Sequence, residues 1–329
     1  MTMSGYELVR RAIKFDGPER VPMCFGVLGF DDTFWADLNL AKPHAKEADD
    51  SHRITDEWGN VWVTSEMKNI GQCKGHRLES WDALNDYVFP DPDDQDRYVR
   101  VEEQLTHAGG KYVLGGYWAA LWERAQHLRG MANVMMDLYL EEERLSRLLD
   151  RILDFHVRVM DQLGRRFGGR IHGYSTTDDW GTQNATLISP ELFDKYFAPR
   201  YRKWNEAAHR NGMHSWLHTC GKVNAFLGRF RACGFDVVNL QQPRLLGIEE
   251  VGRQHRGKMC FLSLVDIQRT LTKGTPEEIR AEARLLLEKW GTPQGGFIVG
   301  DYGDGEAIGV SLDRKQIMFD AFMEYGKLR

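Results

Sequence analysis

His218 and Cys220 stand two residues apart where the apolar run MHSWLH (213–218) ends, and Gly221 follows directly. On an extended chain, residues i and i+2 project to the same side, so both side chains can reach one ion at ~2.0–2.3 Å. Two ligands do not complete a zinc site, because a catalytic zinc takes three protein ligands and keeps a fourth position open. The segment GDYGDGE (300–306) offers the carboxylates of Asp301, Asp304 and Glu306 for the third, with Asp301 and Asp304 the chosen candidates. The competing reading is a buried histidine beside a small packed thiol. Position decides between the two.

Asp178 and Asp179 form a second group of interest. Side by side on an extended chain they face opposite ways, so only one can point at a ligand while the other caps a turn. A carboxylate aimed at a substrate binds its hydroxyl or amine, or acts as general base if its pKa is raised; both are candidate catalytic residues. The polar segments after apolar runs supply candidate substrate contacts: Tyr174 and Gln183 in YSTTDDWGTQN (174–184), Gln241 in NLQQ (239–242), Tyr302 in the late loop, and Trp118 after KYVLGG. GDYGDG lacks the lysine and the G-x-G-x-x-G spacing of a nucleotide loop and is not read as one.

These residues need elements to position them. Short apolar runs recur at VPMCFGV (21–27), KYVLGG (111–116), IHGYS (171–175), MHSWLH (213–218), DVVNL (236–240), KMCFLSL (258–264) and GGFIVG (295–300). Helical patterns fill the intervals. Ser189-Pro190 opens one, PEEIRAEARLLLEKWG runs to Gly291, and Leu145, Leu148, Leu149, Ile152, Phe155, Val159 and Leu163 follow 3–4 spacing across 141–164. DEWGNVWVTS (56–65) reads as a hairpin turning at Gly59-Asn60, and FPDPDD (89–94) as a linker into a helix from Asp94. Repeated strand-helix units imply parallel strands covered on both faces. Seven strand candidates predict an α/β fold, a (β/α)8 TIM-type barrel with an N-terminal helix and a small hairpin insertion. The eighth strand is not identifiable. No repeat or linker divides the chain, so one domain over 1–329 is expected. In such a barrel the strand C-termini form the active face, which is expected to bring His218, Cys220, Asp178 or Asp179, and Asp301 or Asp304 into one pocket.

Composition narrows the function. A chain of 329 residues with 42% hydrophobic content can bury a large core. A formal charge of −5, without basic clusters, argues against nucleic acid as a partner and favours a small-molecule substrate. No apolar stretch reaches the ~20 residues of a membrane span, and the N-terminus is too charged for a signal peptide. Five scattered cysteines lack a disulfide framework, so reduced thiols and a cytoplasmic location are expected.

Taken in order, ERVPM (19–23), DEWGNVW (56–62), FPDPDD, LWERAQHLRGMANVMMDL (121–138), DDWGTQN with SPELF (178–193), and HTCGKV (218–223) with GFDVVNLQQP resemble the uroporphyrinogen decarboxylase superfamily over nearly the whole chain. The resemblance implies a (β/α)8 barrel and either tetrapyrrole decarboxylation or methyl transfer to or from corrinoid cofactors, often with zinc. After Arg20-Val21-Pro22 the decarboxylases continue with an arginine-rich segment, whereas Met23 to Asp32 here reads MCFGVLGFDD. A polycarboxylate would meet acid there, which turns the expectation toward the methyltransferase branch. That branch binds zinc through His-x-Cys and a later cysteine. His218 and Cys220 match the first part, and Asp301, Tyr302 and Asp304 stand where the cysteine would fall. The expected activity is movement of a methyl group between a small substrate and a corrinoid protein or thiol acceptor, with zinc on His218, Cys220 and a carboxylate. The corrinoid, on a partner protein, is implied by the resemblance alone. The alternatives are a metal-free lyase or decarboxylase acting on another small acid, and a non-catalytic binding protein.

Overall fold

The computed structural model describes residues 2–38, 45–47, 50–64, 71–303 and 305–328. Its centre is a parallel sheet of seven strands: β1 (Thr33–Trp35), β2 (Tyr112–Gly116), β3 (Gly173–Thr177), β4 (His214–His218), β5 (Val237–Leu240), β6 (Cys260–Ser263) and β7 (Phe297–Val299). They lie side by side in chain order, each parallel to the next. Between β7 and β1 the chain around Met23 fills the gap. Met23 bridges Val299 in parallel, Val299 N–H donates to Pro22 O at 2.9 Å, and Asp32 N–H donates to Met23 O at 2.8 Å. The fold is thus of TIM-barrel type.

Six of the seven sequence-predicted runs supply sheet strands. VPMCFGV instead contributes one parallel bridge and a two-residue antiparallel pair, Cys24–Phe25 with Phe30–Asp31. The seventh strand, β1, is only three residues long and too short to leave a period-two signature. The helix expected from Asp94 is also shorter: a single 3₁₀ turn at Gln95–Arg97 precedes a helix over Val101–Thr106.

Inside the sheet, Tyr112, Leu114, Trp216, Val237, Cys260 and Ile298 pack against Val9, Ala12 and Ile13 of the helix Gly5–Lys14. Tyr112, Val237 and Cys260 open their strands, so this helix plugs the N-terminal end and leaves the C-terminal end open. Gly173 is required in this layer, since a Cβ there would come within 2.8 Å of both Leu114 and Trp216 Nε1. Outside, the helix Glu142–Phe167 buries all seven predicted apolar positions, each contributing about 1.5–3 kcal/mol. The helix Pro276–Trp290 begins in a capping box between Thr275 and Glu278.

The hairpin insertion is a four-stranded antiparallel sheet: Ala45–Glu47, Asp50–Thr55, Val61–Val63 and Gln72–Gly75. Its central turn sits where the sequence places it. Asp56 Oδ1 accepts from Trp58 and Asn60 N–H, while Gly59 adopts φ 77°. All five cysteines are free. Among the described residues, no helix is long and apolar enough to cross a membrane.

Candidate metal centre and active-site cavity

Trp216 faces the interior, so alternation along β4 turns His218 inward and, one pleat further, Cys220. Register places His218 opposite Thr177 on β3 and Asn239 on β5. Two residues beyond Thr177 comes Asp179, and two beyond Asn239 comes Gln241. All six side chains line a cavity of about 880 Å³ at the open end of the barrel, joined by Trp118 and Tyr302 from surrounding loops and by Glu123 from the first turn of the helix Trp122–Arg129.

Three ligand atoms meet there. Cys220 Sγ lies 3.3 Å from His218 Nε2, and His218 Nε2 lies 3.8 Å from Asp179 Oδ1. All three atoms fall within 4.8 Å of one another, the one group of this kind among the described residues. The loops carrying them are fastened together. Cys220 N–H donates to Asp179 Oδ1 at 2.8 Å, Gly181 N–H to Cys220 O at 3.1 Å, and Lys222 N–H to Thr182 O at 2.8 Å. Such close approach requires glycine on both sides: a Cβ on Gly221, which has φ 82°, would sit 2.2 Å from Gly181 O. Burial, with the charges of Asp179 and Glu123 next, pushes the Cys220 thiol well above its ordinary pKa.

Asp178 faces the other way, as its parity requires. It is fully buried, and its carboxylate accepts from the backbone N–H groups of Leu121, Trp122 and Glu123 at 2.7–3.0 Å and from the Tyr201 hydroxyl. It therefore closes the N-terminus of the helix Trp122–Arg129 instead of reaching the cavity. Burial raises its pKa to about 6 against the pull of those donors.

Of the sequence-predicted substrate contacts, Trp118, Gln241 and Tyr302 line the cavity. Gln183 stands one residue behind it, its Oε1 accepting from Gln268 Nε2 at 3.1 Å. Tyr174 is a correction. Between the inward Gly173 and Ser175 it points out of the barrel, fully buried, with its hydroxyl 2.9 Å from His156 Nδ1 on the helix Glu142–Phe167. Asp301 is a second correction, since it also points outward and its carboxylate pairs with the buried Lys315 ammonium at 2.9 Å. The carboxylate beside His218 and Cys220 belongs to Asp179. Asp304, the other predicted ligand, lies outside the described residues.

Sequence reasoning passed over Glu123. The Thr177 hydroxyl donates to Glu123 Oε2 at 2.5 Å, and burial, followed by the charges of Asp179 and Asp178, holds its carboxyl well above the usual range. An acidic residue in the first turn of a helix ordinarily complements the helix dipole, so nothing local marks it. Only the fold of β2 beside β3 brings it to the cavity.

The profile of the family described as Uroporphyrinogen decarboxylase (URO-D) matches residues 77–325. The chain belongs to the uroporphyrinogen decarboxylase family. Over 140 residues this family member is 30% identical to the methylcobamide:CoM methyltransferase MtaA of Methanosarcina barkeri (strain Fusaro / DSM 804) and 29% identical to MtaA of Methanosarcina barkeri. Each match covers 42% of this chain and 38% of the relative, well under half of the relative's length. A solved methyltransferase from Methanosarcina mazei superposes with a TM-score of 0.71 over 98% of this chain and 99% of the other. At 15% identity that likeness shows the shared fold.

Proposed function

We propose that this family member is a methyltransferase, in which zinc held by Asp179, His218 and Cys220 activates a thiol or another small nucleophile, with a corrinoid protein as methyl donor or acceptor. The observation that carries the reading is the convergence of those three side chains at the mouth of the barrel. The donor set suits zinc. Bonds of ~2.0–2.3 Å in tetrahedral array put ligand atoms roughly 3.4–3.6 Å apart, and the two separations here are 3.3 and 3.8 Å. Burial and neighbouring carboxylates hold the Cys220 thiol up, and a bound dication would favour its thiolate instead. The partial identity with the methylcobamide:CoM methyltransferases supports the corrinoid partner and a thiol acceptor.

When bound, zinc lowers the pKa of a coordinated thiol or hydroxyl toward neutrality and so supplies a nucleophile. The protein's own residues do the rest. The bonds between the 179–182 and 219–222 loops fix the ligand geometry before any ion arrives. Glu123, whose carboxyl burial holds well above the usual range, stands at the cavity edge and accepts from the Thr177 hydroxyl. Asn239 Oδ1, buried without a hydrogen-bond partner among the described residues, is an acceptor for substrate. Tetrapyrrole decarboxylation fits less well: Arg20, which reaches the 23–32 segment, is spent in a two-bond pair with Asp32. We place the enzyme in the cytoplasm, in keeping with its free thiols.

Metal analysis of untagged protein after zinc-supplemented growth tests the reading. The expected result is about one zinc per chain, lost in His218→Ala and Cys220→Ala, with methyl transfer from methylcobalamin to coenzyme M lost in parallel. Folded protein that carries no zinc sinks the proposal.

A further inference from the structure

A second chamber adjoins the metal cavity and shares Trp118 with it. It measures about 340 Å³ and lies between the end of β2 and the small antiparallel sheet, walled by Trp35, Trp58, Trp62, Tyr117 and Trp118. Roughly 150 Å³ suffices for a benzene ring. We infer that this chamber is a binding site for a flat, uncharged aromatic molecule bearing an oxygen acceptor, such as an aryl ether.

The walls are rings packed on one another. Trp62 and Trp118 meet at 5.0 Å with 57° between their planes, and His127 backs both rings at 4.7 and 5.0 Å. Burial drives His127 down to about 2, so that backing is neutral. Trp118 is held by a strained backbone: Ala119 after it has φ 62°, and the Ala119 N–H donates to Thr177 Oγ1 at 3.0 Å. Trp35 at the mouth is left 45% exposed, an unusual cost for an indole that served the core alone.

Charge chooses the ligand. The wall carboxylate of Glu57 pairs with buried Arg97, and Asp56 accepts from Trp58 and Asn60 N–H, Asn60 Nδ2 and Trp62 Nε1. Arg124, nearly fully buried, lies 3.5 Å from Asp56 and 4.6 Å over the Trp58 ring. A quaternary ammonium would meet a guanidinium already seated on the aromatic wall. An anion would meet Asp37, Asp56 and Glu57 against Arg97 and Arg124 among the described residues. What stays unanswered is one donor: Arg124 Nε is buried with no partner among the described residues. Such an orphan donor is costly to leave unmade, and a neutral oxygen acceptor on the ligand relieves it.

As a pocket for the methyl-bearing substrate the chamber rests on the methyl-transfer reading, but binding itself does not. Isothermal titration of metal-stripped protein with 2-methoxyphenol tests it, with tetramethylammonium and benzoate as comparison ligands. The expected result is binding of 2-methoxyphenol alone, weakened about tenfold in Trp35→Ala, the scale of one lost stacking contact, and restored to within about threefold in Trp35→Phe. No heat from 2-methoxyphenol with folded protein overturns the assignment, as do tighter binding of either comparison ligand and unchanged affinity in Trp35→Ala. Folded protein that takes up no zinc on zinc-supplemented growth yet binds 2-methoxyphenol removes the methyl-transfer reading and leaves the chamber standing. The converse removes the chamber alone.

Discussion

Asp178 and Asp179 are adjacent in sequence, yet their carboxylates serve opposite sides of the barrel wall. Asp178 looks outward and accepts three backbone N–H groups at the start of the helix Trp122–Arg129. Asp179 looks inward, 3.8 Å from His218 Nε2. Strand alternation alone separates a structural anion from a candidate ligand.

Substitution of the two therefore gives different failures. Asp178→Ala strands buried donors and is expected to cost ~3 kcal/mol or more, a drop of at least about 4 °C in Tm. Asp179→Ala, at a half-exposed side chain, is expected to move Tm by no more than about 2 °C while weakening zinc binding at least about tenfold. Calorimetry with metal titration reads both. A stable Asp178→Ala protein would show that the helix finds another cap.

The loop fastening makes Gly221 a second lever. In Gly221→Ala the added Cβ collides with Gly181 O at φ 82°, so the 179–182 and 219–222 loops must part. About 1–3 kcal/mol of stability is expected to be lost, together with bound zinc. Gly228→Ala is the control: its Cβ meets nothing within 4 Å, and a helical glycine replaced by alanine gains roughly 0.5–1 kcal/mol. Zinc retained in Gly221→Ala would break the link between loop closure and ligand geometry.

Tyr174 separates burial from function. Tyr174→Phe removes the partner of His156 Nδ1 and is expected to cost about 1–2 kcal/mol in urea unfolding, with KM and kcat of methyl transfer unchanged. A raised KM at unaltered stability would return Tyr174 to the cavity.

Much of this arrangement is legible in the chain. The His218-x-Cys220 pair, the strand ends that carry it and the covered parallel sheet follow from apolar runs and their spacing. The identity of the candidate third ligand does not. Asp179 and Asp301 both follow strands, and only counting parity from an inward residue distinguishes them: Thr177 faces the cavity and so does Asp179, whereas Gly300 faces in and Asp301 faces Lys315. That count needs the strand register, which apolar runs leave uncertain by a residue or two. Glu123 was hidden for a different reason. It reaches the cavity through a contact between two elements 54 residues apart, and no local pattern encodes it. Tyr117, Trp118 and the tryptophans of DEWGNVW are indistinguishable from core until the chamber between them is seen.

The pair formed by His209 and Asp236 ties the helix before β4 to the start of β5, and its strength depends on pH. His209 Nε2 lies 2.7 Å from Asp236 Oδ2, and Asp236 also accepts the Ser215 N–H at 2.8 Å. The hydrogen bond to Asp236 raises the His209 pKa above 6.5, outweighing burial and the Lys14 charge. Burial alone would raise Asp236, but His209 and the Ser215 N–H together hold it below 3.8. A raised histidine contributes its stability fully below pH 6.5 and loses it as pH climbs through the folded value. A lowered aspartate contributes above pH 3.8 and loses it as pH falls through its folded value. The pair is therefore strongest between about pH 4 and 6.5. Since His209 is about half exposed, solvent screening limits it to about 0.5 kcal/mol. Urea unfolding of wild type against His209→Gln is expected to show that difference at pH 5.5 and close to none at pH 8.5. An equal gap at both values would mean that the contact works by packing and not by charge.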